Sequence, residues 1–253
     1  TLFRSTGDTG TFVQSTAGLP ANGFKAIRIA YCKNQPSVVY AALENAGQDA
    51  YYSELKGIYR SNDGGQTWTE TAGLTDRDFG IDMLFPWYAF ALGVSPTDPD
   101  LVLVGSVELA ASDDGGATWY ACDYSHADHH TIQFFSDGTE YLDGSDGGIY
   151  RFDRFTQSQT NFSLNNGYNV TQYYAGTYFP GTSVDAYGGT QDNGTNSTKL
   201  AAQTFLHIFG GDGSYCQVNQ QQANAAFVSY QNGEIYRTLG ALSPQPSFSR
   251  VVN

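Results

Sequence analysis

The hydrophobic positions of this 253-residue chain fall in short runs, each closed by a turn before a second run begins. Ile27-Arg-Ile-Ala-Tyr31 is followed by Asn34-Gln-Pro36 and then by Val38-Val-Tyr-Ala-Ala42. Ala89-Phe-Ala-Leu-Gly93, Thr97-Asp-Pro99 and Leu101-Val-Leu-Val104 repeat that order, and so do Thr131-Ile-Gln-Phe-Phe135, Ser136-Asp-Gly138 and Glu140-Tyr-Leu142. Ala225-Ala-Phe-Val-Ser-Tyr230 before Gly233 opens a further copy. Runs of this length bounded by Pro, Gly, Asn and Asp predict β-strands joined by tight turns. No window sustains a 3.6-residue apolar period, so helix is predicted to be minor. Each unit reads as strand, turn, strand, short loop, strand, longer turn, strand.

The longer turn is the most specific signal. Ser61-Asn-Asp63-Gly-Gly65-Gln-Thr67-Trp68 and Ser112-Asp-Asp114-Gly-Gly116-Ala-Thr118-Trp119 share the pattern S-x-D-x-G-x-T-W, the Asp-box. Its Asp can accept hydrogen bonds from backbone amides two or three residues on, and its Gly supplies the positive φ of a tight reversal. Ser61, Asp63, Gly65, Thr67 and Trp68, with Ser112, Asp114, Gly116, Thr118 and Trp119, are therefore read as structural. Ser5-Thr-Gly7-Asp-Thr9-Gly-Thr11-Phe12 is an eroded copy with Gly where Asp belongs.

A strand signature precedes each turn: Leu2–Ser5, Gly57–Ser61, Leu109–Ser112, Gly148–Phe152 and Glu234–Thr238. These slots, near positions 5, 61, 112, 152 and 238, recur at roughly 40 to 56 residues, the period of four-stranded propeller blades. The last interval is about twice as long, and a degenerate copy fits near Ser197. The expected fold is all-β, a β-propeller of four-stranded antiparallel blades with Asp-box turns. Residues 1–253 are expected to form one propeller domain or a fragment of one. About five and a half blades fit the length, which predicts part of a larger propeller or a six-bladed ring closed by its two ends.

Composition narrows the setting. Twelve basic against 25 acidic residues give a net charge of −13, which disfavours nucleic acid and anionic membrane surfaces. No apolar run reaches the length of a membrane span. Little Lys and a single Met beside abundant Thr, Ser, Asn, Gly and Tyr suit an exported, extracellular or cell-surface protein. Cys32, Cys122 and Cys216 lack metal-ligand spacing and read as buried small apolar residues.

Chemistry-bearing residues gather in the second half. His126-Ala-Asp128-His129-His130, Asp143-Gly-Ser-Asp146-Gly-Gly148, Gly188-Gly-Thr-Gln191-Asp192-Asn193-Gly194 and Gly210-Gly-Asp212-Gly213 follow in that order. Together with the Asp-boxes, this series resembles a family of bacterial secreted propellers labelled BNR or Asp-box repeat, sortilin-like (VPS10-type) or glycosyl-hydrolase-like. The resemblance covers roughly residues 57 to 240. It implies a propeller fold and export to the cell surface, and it is unspecific for activity.

On an extended strand His126, Asp128 and His130 would share one face, successive members about 7 Å apart. The expected binding residues are His126, His130, Asp146, Gln191, Asn193 and Asp212. The set can bind a glycan or a protein partner, with no cofactor expected, although its carboxylates suit Ca²⁺. Phe85-Pro-Trp87-Tyr88 and Tyr173-Tyr174 can stack sugar rings. The first reading is an exported scaffold binding a glycan or protein through loops at the propeller channel. An alternative is an endo-glycosidase of xyloglucanase type, with Asp128 and Asp192 as the paired carboxylates. A third is a structural subunit of a surface assembly, its ring completed by other segments or subunits. A sialidase is disfavoured, because Arg4, Arg60, Arg151 and Arg237 lie at equivalent repeat positions and cannot form one clamp.

Overall fold

The computed structural model describes residues 2–47, 54–74, 83–122, 126–153, 161–167, 171–181, 185–199 and 204–252. The chain forms two compact units, Thr1–Tyr168 and Asn169–Asn253. The first opens with a two-stranded sheet, β1 (Leu2–Arg4) and β2 (Val13–Ser15). Three four-stranded sheets follow. They are β3 (Phe24–Cys32), β4 (Gln35–Asn45), β5 (Leu55–Ser61) and β6 (Thr69–Glu70); β7 (Ala91–Val94), β8 (Val102–Gly105), β9 (Leu109–Ser112) and β10 (Tyr120–Ala121); and β11 (His129–Phe134), β12 (Glu140–Ser145), β13 (Gly148–Asp153) and β14 (Asn161–Ser163).

The second unit holds two more. β15 (Ala175–Tyr178), β16 (Ala186–Gly189), β17 (Thr195–Lys199) and β18 (Thr204–Phe209) form one. β19 (Cys216–Val218), β20 (Ala226–Ser229), β21 (Ile235–Thr238) and β22 (Ser249–Val252) form the other. Within every four-stranded sheet the strands lie side by side in chain order, each antiparallel to the next. This is the meander of a propeller blade, and the fold class is all-β with blades of that type. Among the described residues the helical content is one 3₁₀ turn, Gln231–Gly233. No helix there is long and apolar enough to cross a membrane.

In the four-stranded sheets the expected slot falls on the third strand: β5, β9, β13 and β21, with Ser197 in β17; the slot at Leu2–Ser5 falls on β1 of the two-stranded sheet. The inner strands read as continuous apolar runs because both of their faces are covered. β8 illustrates this. Its alternate residues Val102 and Val104 enter a core with Tyr40, Phe90 and Trp119, whereas Leu103, and Leu101 just before the strand, enter one with Phe134, Tyr141 and Phe152. Period-two geometry thus sends one strand's side chains into two cores. The second unit has a separate core around Tyr187, Val218, Ala226 and Val228. All three cysteines are buried. Asp78–Asp82, part of a long insertion before a strand, lies outside the described residues.

The two repeated turns close as their sequences predict. Asp63 Oδ1 accepts the amides of Gln66 and Thr67 at 2.9 Å each, and its Oδ2 accepts the Thr67 hydroxyl at 2.6 Å. Ser61 Oγ donates to Asp63 Oδ1 at 2.8 Å and accepts the Gly65 amide at 2.8 Å. Asp114 repeats the pattern with the Thr118 amide at 2.8 Å and hydroxyl at 2.6 Å. Gly64, Gly65, Gly115 and Gly116 have φ between 70° and 91°, the left-handed region where glycine carries no steric cost. These donors, the Thr118 hydroxyl first, hold the Asp114 carboxyl down at about 2. The Thr67 hydroxyl leads the same effect at Asp63.

Each turn also reaches backwards. The Trp68 indole donates to Ser15 Oγ at 2.8 Å, and its amide donates to the Ala17 carbonyl at 2.9 Å. A side chain at Gly18 would lie 1.9 Å from the Trp68 carbonyl oxygen, so only glycine admits this approach. The Trp119 indole donates to the Ala72 carbonyl at 3.1 Å, and the Ala72 amide donates to the Gly116 carbonyl at 2.8 Å. Each turn is therefore clamped to the end of the preceding sheet's last strand, β2 for Trp68 and β6 for Trp119. The eroded turn after β1 lacks this clamp. Ser5 still accepts the Gly7 amide at 3.0 Å, but Phe12 in the Trp position is 70% exposed.

One polar pair lies inside the third four-stranded sheet. His129 on β11 and Asp143 on β12 are both fully buried, with His129 Nδ1 2.9 Å from each Asp143 oxygen. A side chain at Gly105 would meet His129 Cβ at 2.6 Å, so β8 presses directly on the imidazole. Replacing Asp143 with Ala removes the buried partner of the imidazole, and Asp143→Ala is expected to cost about 1–3 kcal/mol, read from denaturant unfolding.

Asp114→Asn tests the turn. A carboxyl held below its unfolded value stabilises at neutral pH and loses that contribution as acid protonates it. The variant is expected to melt below wild type at pH 7, with the difference gone once the pH falls through about 2.

Candidate functional site

In the first unit the site is built where β11 begins. The strand starts at His129, not at His126, and Asp128 adopts φ 66°. This corrects the expectation of an extended strand presenting His126, Asp128 and His130 on one face. The left-handed residue turns the chain before the strand can form, and Asp tolerates that region better than most side chains. The Asp128 and His129 amides then donate to the Val107 and Ser106 carbonyls at 3.1 and 2.8 Å. A register shift between His129 and Thr131 follows, so consecutive histidines part: His129 is buried against Asp143 while His130 emerges.

The acceptor for His130 is supplied by the next hairpin. Ser145 pairs with Gly148, which leaves Asp146-Gly147 as a two-residue loop, the Asp-Gly signature of a tight hairpin. Asn165 Nδ2 and Tyr150 Oη donate to the Gly147 carbonyl at 2.9 and 3.0 Å. Asp146 is consequently fixed. Its Oδ1 lies 2.7 Å from His130 Nε2, and its Oδ2 accepts the Tyr88 hydroxyl at 2.8 Å. The Asp146 amide donates to the Asp128 carbonyl at 3.3 Å. Carboxylate oxygens of Asp128 and Asp146 lie within 4.8 Å of one another. His126 packs over Gly147, where a side chain would come within 2.4 Å of its Cβ.

Tyr88 arrives from the segment before β7. Phe85 adopts φ 56°, and its carbonyl accepts the Tyr88 and Ala89 amides at 2.8 and 3.0 Å. Ser106 Oγ donates to the Leu84 carbonyl and pins the turn. Tyr88 meets the His130 ring edge-on at 5.2 Å between centroids, and Trp87 lies 5.8 Å from Tyr88 with 54% of its surface exposed. Non-glycine residues at positive φ carry strain that concentrates at functional sites. Phe85 and Asp128 are two such residues, and both shape this surface.

Electrostatics separate the two carboxyl groups. Burial pushes the Asp128 carboxyl above the usual carboxylate range and the Asp146 charge pushes it further, against a smaller opposing effect of His130, His126 and His129. Asp146 has the Tyr88 hydroxyl on one oxygen and the His130 ring nitrogen on the other. One carboxyl that holds its proton more readily thus adjoins another held in place by its hydrogen-bond partners. That is the division of labour of an acid and base pair, and equally of a site that recognises hydroxyl groups.

In the second unit the Gln191–Gly194 loop and the Gly210–Gly213 turn interlock. Asp192, at φ 57°, donates its amide to Asp212 Oδ1 at 3.0 Å. The Gly194 amide donates to the Gly211 carbonyl at 3.0 Å, and a side chain at Gly213 would lie 2.1 Å from the Gly194 oxygen. Asp212 is thus engaged in holding the neighbouring loop. Gln191 and Asn193 are exposed, and Gln191 Oε1 accepts the Tyr174 hydroxyl.

The structure brings His126, Asp128, His130 and Asp146 together in one unit and Gln191, Asp192, Asn193 and Asp212 in the other. The sequence reading does not anticipate the His129–Asp143 pair, the reach of Tyr88 to Asp146, or Asn165 beneath the hairpin. No Arg clamp forms among the described residues: Arg60 pairs with Asp100, Arg151 with Glu140 and Arg250 with Glu234.

No family model matches this sequence, and no curated protein does. Among solved structures, the chain is similar to the GH74 enzyme of Niastella koreensis, with 16% identity over 90% of this chain and 38% of that one and a TM-score of 0.42. It is similar to the GH74 xyloglucanase from Xanthomonas campestris, with 15% identity over 95% and 40% and a TM-score of 0.45. It is also similar to YCF48 bound to D1 peptide, with 9% identity over 93% and 86% and a TM-score of 0.33. The chain therefore spans 38% and 40% of the length of these two GH74 enzymes.

Asp128→Asn probes the raised carboxyl. A group whose folded pKa lies above its unfolded one stabilises the fold at low pH and loses that contribution as pH rises through the folded value. The uncharged variant is expected to melt above wild type at pH 7. The gain should shrink as the pH falls and vanish below the ordinary aspartate value of about 3.9, where the carboxyl is protonated in the folded and unfolded chain alike.

Proposed function

We propose that this chain is an exported binding scaffold of Asp-box (BNR-type) propeller blades, taking a glycan or protein ligand at the cell surface or outside the cell. The observation that carries the reading is the surface formed by Trp87, Tyr88, His130, Asp146 and Asp128. There an exposed indole adjoins fixed hydrogen-bonding groups on a rigid sheet. Aromatic faces beside carboxyl acceptors suit a ligand with alternating apolar and hydroxyl surfaces. The low Lys content and the Thr-, Ser- and Asn-rich composition support an extracellular setting. His126, Gln191, Asn193 and Asp212 remain proposed binding residues.

A second reading is a glycoside hydrolase, favoured by one observation: the raised carboxyl of Asp128 has a fixed carboxylate, Asp146, within 4.8 Å. Asp128 would then act as general acid and Asp146 as its partner. Asp192, the partner nominated from sequence, belongs to the other unit.

Incubation with a panel of polysaccharides, reading both retention and new reducing ends, separates the two. Retention without cleavage is the expected result. Cleavage by wild type that Asp128→Asn reduces by a factor of about 10² or more would replace the scaffold with the hydrolase.

A further inference from the structure

We propose that the ligand of this surface is an uncharged glycan, one sugar face lying on Trp87 and neighbouring hydroxyl groups bound by Asp128; the assignment rests on the binding reading above. A carboxylate is an acceptor only. Asp146 has already taken the Tyr88 hydroxyl on one oxygen and His130 on the other. Its charge is met within the protein, so it provides little incentive for an incoming cation. Asp128 is half-buried beside that charge, and its carboxyl is shifted toward the protonated form. In one state it accepts and in the other it donates. A sugar hydroxyl, which does both, satisfies either state. A lysine or arginine side chain satisfies only the ionised one.

An acidic glycan is disfavoured on the same ground from the opposite side. It would bring a third negative charge to two carboxyls within 4.8 Å of each other, in a chain of net charge −13. The paired partners of Arg60, Arg151 and Arg250 are acids elsewhere in the fold, and His130 is committed to Asp146. The remaining contact is apolar. Trp87 leaves 54% of its surface open and is tilted 51° from Tyr88, which leaves a flat indole face for the C–H face of a pyranose ring.

Calorimetric titration of the whole chain with cellohexaose, mannohexaose, xylohexaose, hexagalacturonate and hexalysine tests this. At least one neutral hexaose should bind, with both charged probes at least tenfold weaker. Trp87→Ala and Asp128→Ala should each weaken that neutral hexaose tenfold or more. Trp87 is exposed, so its variant should keep the wild-type melting temperature. The proposal is overturned if hexagalacturonate or hexalysine binds as tightly as the best neutral hexaose. It is also overturned if Trp87→Ala leaves neutral binding unchanged. A charged probe that binds best and is weakened by Trp87→Ala would retain the surface as a binding site and remove only its ligand class. Failure of all five probes to bind would overturn both this assignment and the glycan reading it rests on.

Discussion

The hydrogen bonds that one aspartate makes to its own turn set the geometry of the first unit. Asp63 and Asp114 each gather amide and hydroxyl donors from residues within four positions. The turn so formed delivers a tryptophan to the outer strand of the sheet before it. The carboxylates lie at the surface, yet their hydrogen bonds keep them ionised well into acid. Local electrostatics and long-range packing are joined in one residue pair, the Asp and the Trp five positions later. Where the Asp is lost, as between β1 and β2, the hydroxyl bonds persist and the aromatic ring is left in solvent.

On this frame the candidate site is assembled from parts that are far apart along the chain. Tyr88 precedes β7, His130 lies on β11 and Asp146 tips the β12–β13 hairpin. Each comes from a rigid element or a turn pinned at both ends, so their relative placement is set before any ligand arrives. Preorganisation of this kind lowers the entropic cost of binding. The strained backbone at Phe85 and Asp128 is held by the same neighbours, through Ser106 and the Val107 carbonyl.

What the sequence discloses here is governed by distance along the chain. The box turns, the strand–turn–strand order and the Asp146-Gly147 hairpin are encoded within eight residues, and residue types at fixed spacing reveal them. The interlocking of Gln191–Gly194 with Gly210–Gly213 is hinted at by glycine clusters that admit close backbone approach. By contrast, alternation places His126, Asp128 and His130 on one face because it has no means of registering a single left-handed residue. Asp128 supplies that residue, and the phase of the strand shifts with it. The burial of His129 is hidden for a related reason. A histidine doublet at a strand start gives no indication which ring will turn inward, and Gly105 decides it from another sheet. Tyr88 reads as one aromatic among many until the fold brings its hydroxyl to Asp146.

The tryptophan clamp has an evolutionary consequence. Trp119 asks its neighbour for nothing more than a main-chain carbonyl, that of Ala72, a group every amino acid possesses. At that junction a duplicated segment carries its own closure and needs no matching side chain, whereas the Trp68 turn also uses the Ser15 hydroxyl and the bare backbone of Gly18. Tandem copying can add or delete modules while their surface residues diverge, so recurrence of the turn records ancestry of the framework and leaves each copy's chemistry free to change.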